Sequence, residues 1–167
     1  GKNMQKAFSY EASYLQDASS YNQEISPADV SPELTKHFRG LRMWLPLILH
    51  GIEPFAACLE EKLLLANYFY DRIKTFEGFE VTHRPELSVV TYRYVPDSGN
   101  ANKFNEALLK EIHTDGRVFI SSTTLNGIFT LRLAVLAFRT HLRTIDLALE
   151  ILKEKSEYLE RNRNLWE

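Results

Sequence analysis

The amino-acid sequence predicts an α+β domain in which helices cover a small antiparallel sheet of about four strands. Three observations support this fold class. Apolar residues recur at helical spacing in several long segments, two-residue alternation marks short segments between them, and Gly, Pro, Asn and Asp separate the segments. The regular strand–helix alternation of a doubly wound parallel sheet is missing from the sequence, so an antiparallel sheet is the simplest way to bury the apolar faces.

The helices are expected to begin near residues 31, 53, 102 and 142, and the strands to span 79–82, 87–95, 118–123 and 128–136. Ser31 and Asn102 are typical helix caps, and Gly51 and Gly78 are typical stops. Asn126-Gly127 is a strong signal for a tight hairpin between the last two strands. The charged run 60–62 is interpreted as a solvated helix face.

The predicted domain organisation has three parts. Residues 1–33 are polar and irregular, residues 34–160 form the domain with its leading helices, and residues 161–167 are a tail expected to fray. Pro27 and Pro32 prevent a regular helix at the end of the first part. From composition alone, this segment is either a functional or mobile loop or a disordered lead-in.

Composition excludes several classes of protein. The 167 residues are 44% hydrophobic and 25% charged, as in an ordinary globular domain, and the formal net charge of −2 provides no field that attracts nucleic acid. A single cysteine excludes an internal disulfide, and the five histidines show no metal-ligand spacing. The longest apolar run, 44–49, is far shorter than the roughly 20 residues of a membrane span. We therefore expect a cytoplasmic protein without a resident metal.

Motifs for nucleotide binding or nucleophilic catalysis are missing from the sequence: it contains no Gly-rich phosphate loop and no G-x-S-x-G element.

Arg132 is more informative, because it interrupts the apolar run 128–135. By alternation it shares a sheet face with Ile128 and Thr130, opposite Phe129 and Leu131. That face could open onto a pocket where the guanidinium binds a substrate carboxylate; the alternatives are an internal acidic partner or a solvated sheet face.

The heptapeptide Phe38-Arg-Gly-Leu-Arg-Met-Trp44 resembles a segment of the group II pyridoxal-phosphate decarboxylases, which include the aromatic-L-amino-acid, tyrosine, histidine, glutamate and diaminobutyrate decarboxylases. Three further stretches agree in order and spacing: 7–15, 102–109 and 129–135. The resemblance extends to about residue 153.

This resemblance implies the C-terminal small domain of a fold-type-I enzyme that releases CO2 from an L-amino acid to give an amine. Members of the family hold pyridoxal phosphate on a lysine that follows a histidine, and none of the histidines here precedes a lysine. The cofactor lysine is accordingly expected upstream of Gly1, in a cofactor domain of the same enzyme. The chain is then a fragment that lacks cofactor-binding residues and is inactive alone, from a parent enzyme that is a homodimer.

The resemblance also suggests roles for two residues. Arg132 matches a family arginine near the place where fold-type-I enzymes bind the substrate α-carboxylate. The segment 15–32 matches the mobile catalytic loop, whose tyrosine protonates the reaction intermediate in aromatic amino-acid decarboxylases. The matching position here falls near Pro27, so Tyr21 is the nearest candidate for the catalytic tyrosine.

Two other readings of the sequence are open. The chain could be a standalone binding or scaffold module that has the small-domain fold without catalysis. It could also be one chain of an enzyme whose cofactor domain is a separate polypeptide.

Overall fold

The computed structural model describes residues 3, 6, 7 and 37–166, and the chain separates into two compact units, residues 1–51 and 52–167. In the first unit, helix α1 spans Leu41–His50 and contains Pro46. It ends as predicted at Gly51, whose φ of 77° suits glycine and whose N–H donates to the Leu47 carbonyl at 2.9 Å. The predicted start near residue 31 lies outside the described residues.

The second unit confirms the predicted α+β class. Its sheet has the order β1-β2-β4-β3, with every neighbouring pair antiparallel. The elements, in chain order, are α2 (Glu53–Ile73), β1 (Phe79–Val81), β2 (Val89–Tyr94), α3 (Ala101–Asp115), β3 (Ser121–Leu125), β4 (Ile128–Ala134), α4 (Leu142–Arg161) and a 3-10 helix (Arg163–Leu165).

The core lies between one face of the sheet and the three helices of this unit. Alternation on β2 buries Val90 and Tyr92, and alternation on β4 buries Leu131 and Leu133. These side chains belong to one cluster with buried residues of all three helices, among them Phe69, Phe104 and Leu152. Residues of β4 that alternate with Leu131 and Leu133 therefore lie on the opposite face of the sheet.

The β3–β4 hairpin has the predicted Asn126-Gly127 turn. Both residues have positive φ, 52° and 80°, as a type I′ turn requires.

The cap of α3, however, is Asn100 rather than Asn102: its side chain accepts hydrogen bonds from the backbone N–H groups of Asn102 and Lys103. Asn102 instead ties α3 to the hairpin, donating to the Gly127 carbonyl at 3.0 Å and accepting from the Phe129 N–H at 2.9 Å.

The chain end differs from its prediction. Trp166 is buried, its indole Nε1 donates to the Leu159 carbonyl at 3.0 Å, and its ring packs edge-on against Phe104 at a centroid distance of 5.0 Å. The prediction that the tail frays is therefore wrong at Trp166, because an indole that fills a core position and satisfies its own N–H holds the end of the chain in place.

Candidate functional site

Arg132 lies on the outer face of the sheet, opposite the buried side chains of β4. In the strand register it stands between Thr91 of β2 and Ser121 of β3. The side chain is exposed, and its Nε donates to Ser121 Oγ at 3.1 Å, while that hydroxyl donates to the Arg132 carbonyl at 3.2 Å. The face predicted for Arg132 by alternation is confirmed.

The charge of Arg132 is not neutralised within the described part of the chain. Between residues 37 and 166 it forms no ion pair with a carboxylate, so the alternative of an internal acidic partner receives no support there. The other arginine on this face, Arg93, is paired: its Nη2 lies 2.9 Å from Glu80 Oε2, and its Nε donates to the same oxygen at 3.1 Å. Arg132 is therefore the better candidate to bind an external carboxylate.

The segment that follows β4 is held by a lysine whose environment the sequence did not reveal. Lys62 of α2 is only 3% exposed, and its ammonium group donates to the carbonyls of Thr140 and Phe138 at 2.6 and 3.3 Å. It also lies 2.7 Å from Glu61 Oε2, and the other oxygen of Glu61 lies 2.7 Å from His141 Nδ1. These contacts fix residues 138–141 against α2.

The prediction that residues 60–62 form a solvated helix face is thus wrong for Lys62. A usable signal was present in the sequence: Lys62 is in helical phase with Ala66, Phe69 and Ile73, which are all buried. Carbonyl and carboxylate oxygens take the place of water around this buried ammonium group.

An exposed apolar surface borders the end of β4. We call it the apolar rim and define it by Leu87, Val89, Leu136 and Phe138. Leu87, Leu136 and Phe138 are each more than 70% exposed. The two segments meet through the Val89–Ala134 pair of the sheet and the hydrogen bond from the Val135 N–H to the Ser88 carbonyl, 2.8 Å. Such a concentration of exposed large apolar side chains is typical of an interaction surface.

The N-terminal half of α2 has the same character. Phe55, Leu59 and Leu63 recur at four-residue spacing and are between 38% and 67% exposed, whereas the C-terminal half of the helix is packed in the core. Helix α1 in the first unit contains no buried residue although most of its side chains are apolar. Both helices therefore expose apolar side chains of a kind that is normally covered in a stable protein.

Tyr21 and the loop 15–32 lie outside the described residues. Among the described residues, Lys62 does not fit an anchor for pyridoxal phosphate. Lys62, the buried lysine among them, has its ammonium group occupied by the carbonyl and carboxylate oxygens described above.

In the ranges that the structure describes, no cluster of three or more His, Cys, Asp or Glu residues is arranged to hold a metal ion, and no helix is long and apolar enough to cross a membrane.

The chain belongs to the pyridoxal-dependent decarboxylase family. The model of the pyridoxal-dependent decarboxylase conserved domain matches residues 1–95, which include α1, α2 and β1–β2. This match confirms the family indicated by the 38–44 heptapeptide, and the small α+β domain agrees with the fold of solved structures of such decarboxylases.

Individual relatives cover most of this chain. Tryptophan decarboxylase 2 of Oryza sativa subsp. japonica is 31% identical over 142 residues, which are 83% of this chain and 29% of that protein. Phenylacetaldehyde synthase of Arabidopsis thaliana is 29% identical over 145 residues, 85% of this chain and 30% of that protein. The crystal structure of Catharanthus roseus tryptophan decarboxylase in complex with L-tryptophan matches with a TM-score of 0.71 and 25% identity, covering 79% of this chain and 29% of that one. The chain therefore spans under a third of the length of these relatives.

Proposed function

We propose that this chain is the C-terminal part of a pyridoxal-phosphate-dependent amino-acid decarboxylase, which releases CO2 from an L-amino acid to give an amine. The observation that carries the proposal is the family match over residues 1–95, together with decarboxylase relatives that align over most of the chain. Pyridoxal phosphate supplies the electron sink in such enzymes. The lysine that anchors it is proposed to lie in an upstream cofactor domain, since none of the histidines in the 167 residues precedes a lysine.

The role proposed for this chain is to complete the active site. Arg132 is the residue proposed to bind the substrate carboxylate, and its exposed guanidinium, which pairs with no carboxylate of residues 37–166, supports this role. Tyr21, in the segment that resembles the family's catalytic loop, is the candidate proton donor. Closure of such a loop would exclude water from the reaction.

The partner proposed for the exposed apolar surfaces is the upstream cofactor domain, within a cytoplasmic homodimer. The apolar rim and the exposed half of α2 support this assignment, since burying them would remove several large side chains from water. The chain alone is then expected to be inactive.

The test compares variants of the complete natural polypeptide. Arg132→Lys is expected to reduce kcat/KM for the preferred amino acid at least tenfold, because lysine cannot reproduce a bidentate contact with the carboxylate. Arg93→Lys, on the same sheet face but paired with Glu80, is the matched control and is expected to retain activity. Unchanged kinetics for Arg132→Lys would return Arg132 to a structural role, and full activity of Tyr21→Phe would exclude Tyr21 as the proton donor.

The chain alone provides a second test. After incubation with pyridoxal phosphate and removal of the excess, it is expected to show no internal-aldimine absorbance. A stoichiometric adduct at one lysine, fixed by borohydride, would refute the proposed upstream lysine. If the natural polypeptide contains no upstream cofactor domain, a non-catalytic binding module or an enzyme completed by a separate chain becomes the better assignment.

An aldehyde synthase is the second candidate activity, because a phenylacetaldehyde synthase is as similar to this chain as several decarboxylases are. Product analysis of the complete polypeptide separates the two: an amine identifies a decarboxylase, and an aldehyde identifies a synthase.

A further inference from the structure

A groove with a volume of about 610 Å³ lies in the second unit, between the turn that precedes β1 and the C-terminal half of α4. The turn and the first residue of β1 contribute residues 75–79, and α4 contributes side chains between residues 153 and 160. Tyr94 and Asp97, from the end of β2 and the turn after it, complete the lining. These residues form a site separate from the outer sheet face that carries Arg132.

The aromatic wall of the groove is held firmly. Gly78 has a φ of 79°, and a Cβ at that position would lie 2.5 Å from the Tyr94 ring, so the ring packs directly on the glycine backbone. The other contacts of the Tyr94 ring are a stacked arrangement with Phe104 at 4.5 Å and an edge-to-face arrangement with Phe79 at 5.0 Å. Phe76 also lines the groove. Phe104, Phe79 and Gly78 cover much of the Tyr94 ring, and the part that remains open forms with Phe76 an apolar wall against which the flat body of a ligand can lie.

Three carboxylates line the groove together with Tyr94, those of Glu77, Asp97 and Glu160. Burial, together with the charges of Glu160, Asp97 and Glu77 and a hydrogen bond with Glu160, raises the pKa of Tyr94 to about 12. The negative charges of these three carboxylates therefore all act on the Tyr94 hydroxyl. None of the three forms an ion pair with a basic side chain of residues 37–166.

Two basic side chains lie beside these carboxylates. Lys153 lines the groove, and the fourth carboxylate of the lining, Glu157, is paired with Arg161 at 3.1 Å. Apart from the Glu157–Arg161 ion pair, the lining contains the three carboxylates named above and one ammonium group, that of Lys153. The carboxylates are not arranged as a metal site, because the groove contains none of the clusters of three or more ligand side chains that would hold an ion.

We propose that this groove binds an arylalkylammonium cation, with its ammonium group at Glu160 and its ring against Tyr94 and Phe76. An organic cation matches both parts of the lining, since the carboxylates bind the charge and the aromatic rings bind the apolar body. A divalent metal ion would use only the carboxylates, and a neutral aromatic compound would leave them unpaired. The aromatic amine released by a decarboxylase is a ligand of this class, and that part of the inference rests on the proposed function.

The experiment is a titration of the full 167-residue chain, followed by 15N amide chemical shifts, with tyramine and with its neutral isostere tyrosol. Tyramine is expected to produce saturable shifts at Gly78 and at residues 156–160, and to bind about tenfold more tightly than tyrosol. Glu160→Gln removes one charge and keeps a side chain that can hydrogen-bond to Tyr94, so we expect about tenfold weaker tyramine binding. Glu150→Gln, an exposed position of α4 outside the groove, is the matched control and should bind as the natural chain does.

Three results would overturn the proposal: shifts that do not saturate, equal binding of tyramine and tyrosol, or equal effects of Glu160→Gln and Glu150→Gln. The last would indicate general surface acidity rather than a site. Because binding is measured on this chain without turnover, it does not depend on catalytic activity. An inactive parent enzyme with a saturable tyramine site would refute the proposed function alone, and an active enzyme without the site would refute this inference alone.

Discussion

Asn105 of α3 takes the place of a strand partner for Tyr94 of β2. The pairing of β2 with β4 ends at the Tyr92–Leu131 pair. Two residues further along β2, the Tyr94 N–H donates to Asn105 Oδ1 at 2.8 Å, and Asn105 Nδ2 donates to the Tyr94 carbonyl at 2.7 Å. The carboxamide reproduces both hydrogen bonds that a neighbouring strand would make, which satisfies a buried backbone and fixes the aromatic ring beside the acidic groove.

Replacing Asn105 with Leu is expected to lower the free energy of unfolding by about 2–4 kcal/mol, because the fully buried leucine would leave the N–H and C=O of Tyr94 without partners. Denaturant unfolding measures the effect. Asn67→Ala is the control, since Asn67 makes exposed hydrogen bonds and its loss should cost less than about 1 kcal/mol. Equal losses in the two variants would show that the carboxamide does not support β2.

Tyr92→Phe is expected to be neutral or stabilising by up to about 1 kcal/mol. Tyr92 is fully buried, and its hydroxyl has no hydrogen-bond partner among the described residues. Phenylalanine keeps the ring contact with Phe69, at a centroid distance of 5.1 Å, and removes a polar atom from the core. Thermal unfolding of both proteins tests this. A clear loss of stability would mean that the hydroxyl has a partner outside the described residues.

Lys62→Ala is expected to destabilise the domain by about 2–4 kcal/mol, because the carbonyls of Phe138 and Thr140 would lose their donor inside the protein. Lys74→Ala is a suitable comparison, since Lys74 is exposed, pairs with Asp71 and lies over the Tyr70 ring, and its removal should cost less than about 1 kcal/mol. Chemical denaturation gives both values. Similar small effects in both variants would show that Lys62 does not hold residues 138–141.

Stability is expected to fall as the pH rises from about 10 to 12. The pKa of Tyr94 is raised from 10.0 to about 12, mainly by burial, and burial also raises the pKa of Tyr92. In this interval the unfolded chain releases tyrosine protons that the folded chain retains. Each increase in pH therefore shifts the equilibrium towards the unfolded chain. Tyr94→Phe removes one of these groups and should make the decline shallower in pH-dependent unfolding experiments. An unchanged slope would contradict the raised pKa of Tyr94.

The sequence predicted the fold class because that class follows from local signals. Helical spacing, strand alternation and the Asn126-Gly127 turn are each contained in a few consecutive residues, and the structure has all of them. The face of the sheet that carries Arg132 was predictable for the same reason. The prediction for the α3 cap missed by two residues, because Asn100 and Asn102 are equally good caps by composition and only the hairpin contact distinguishes them.

The remaining features depend on residues far apart in the sequence. The order of the strands, the hydrogen bond of Arg132 with Ser121, the contacts of Lys62 with Thr140 and the pairing of Asn105 with Tyr94 all require the folded chain. Lys62 illustrates the difficulty best: a lysine beside two glutamates has the composition of a surface, and only its helical phase with Ala66 and Phe69 indicates the core.

The buried position of Trp166 has a genetic consequence. A nonsense mutation that removes Trp166 would remove the indole that packs against Phe104, which in turn stacks on Tyr94. Such an allele is expected to lower the stability of the protein and its abundance in the cell.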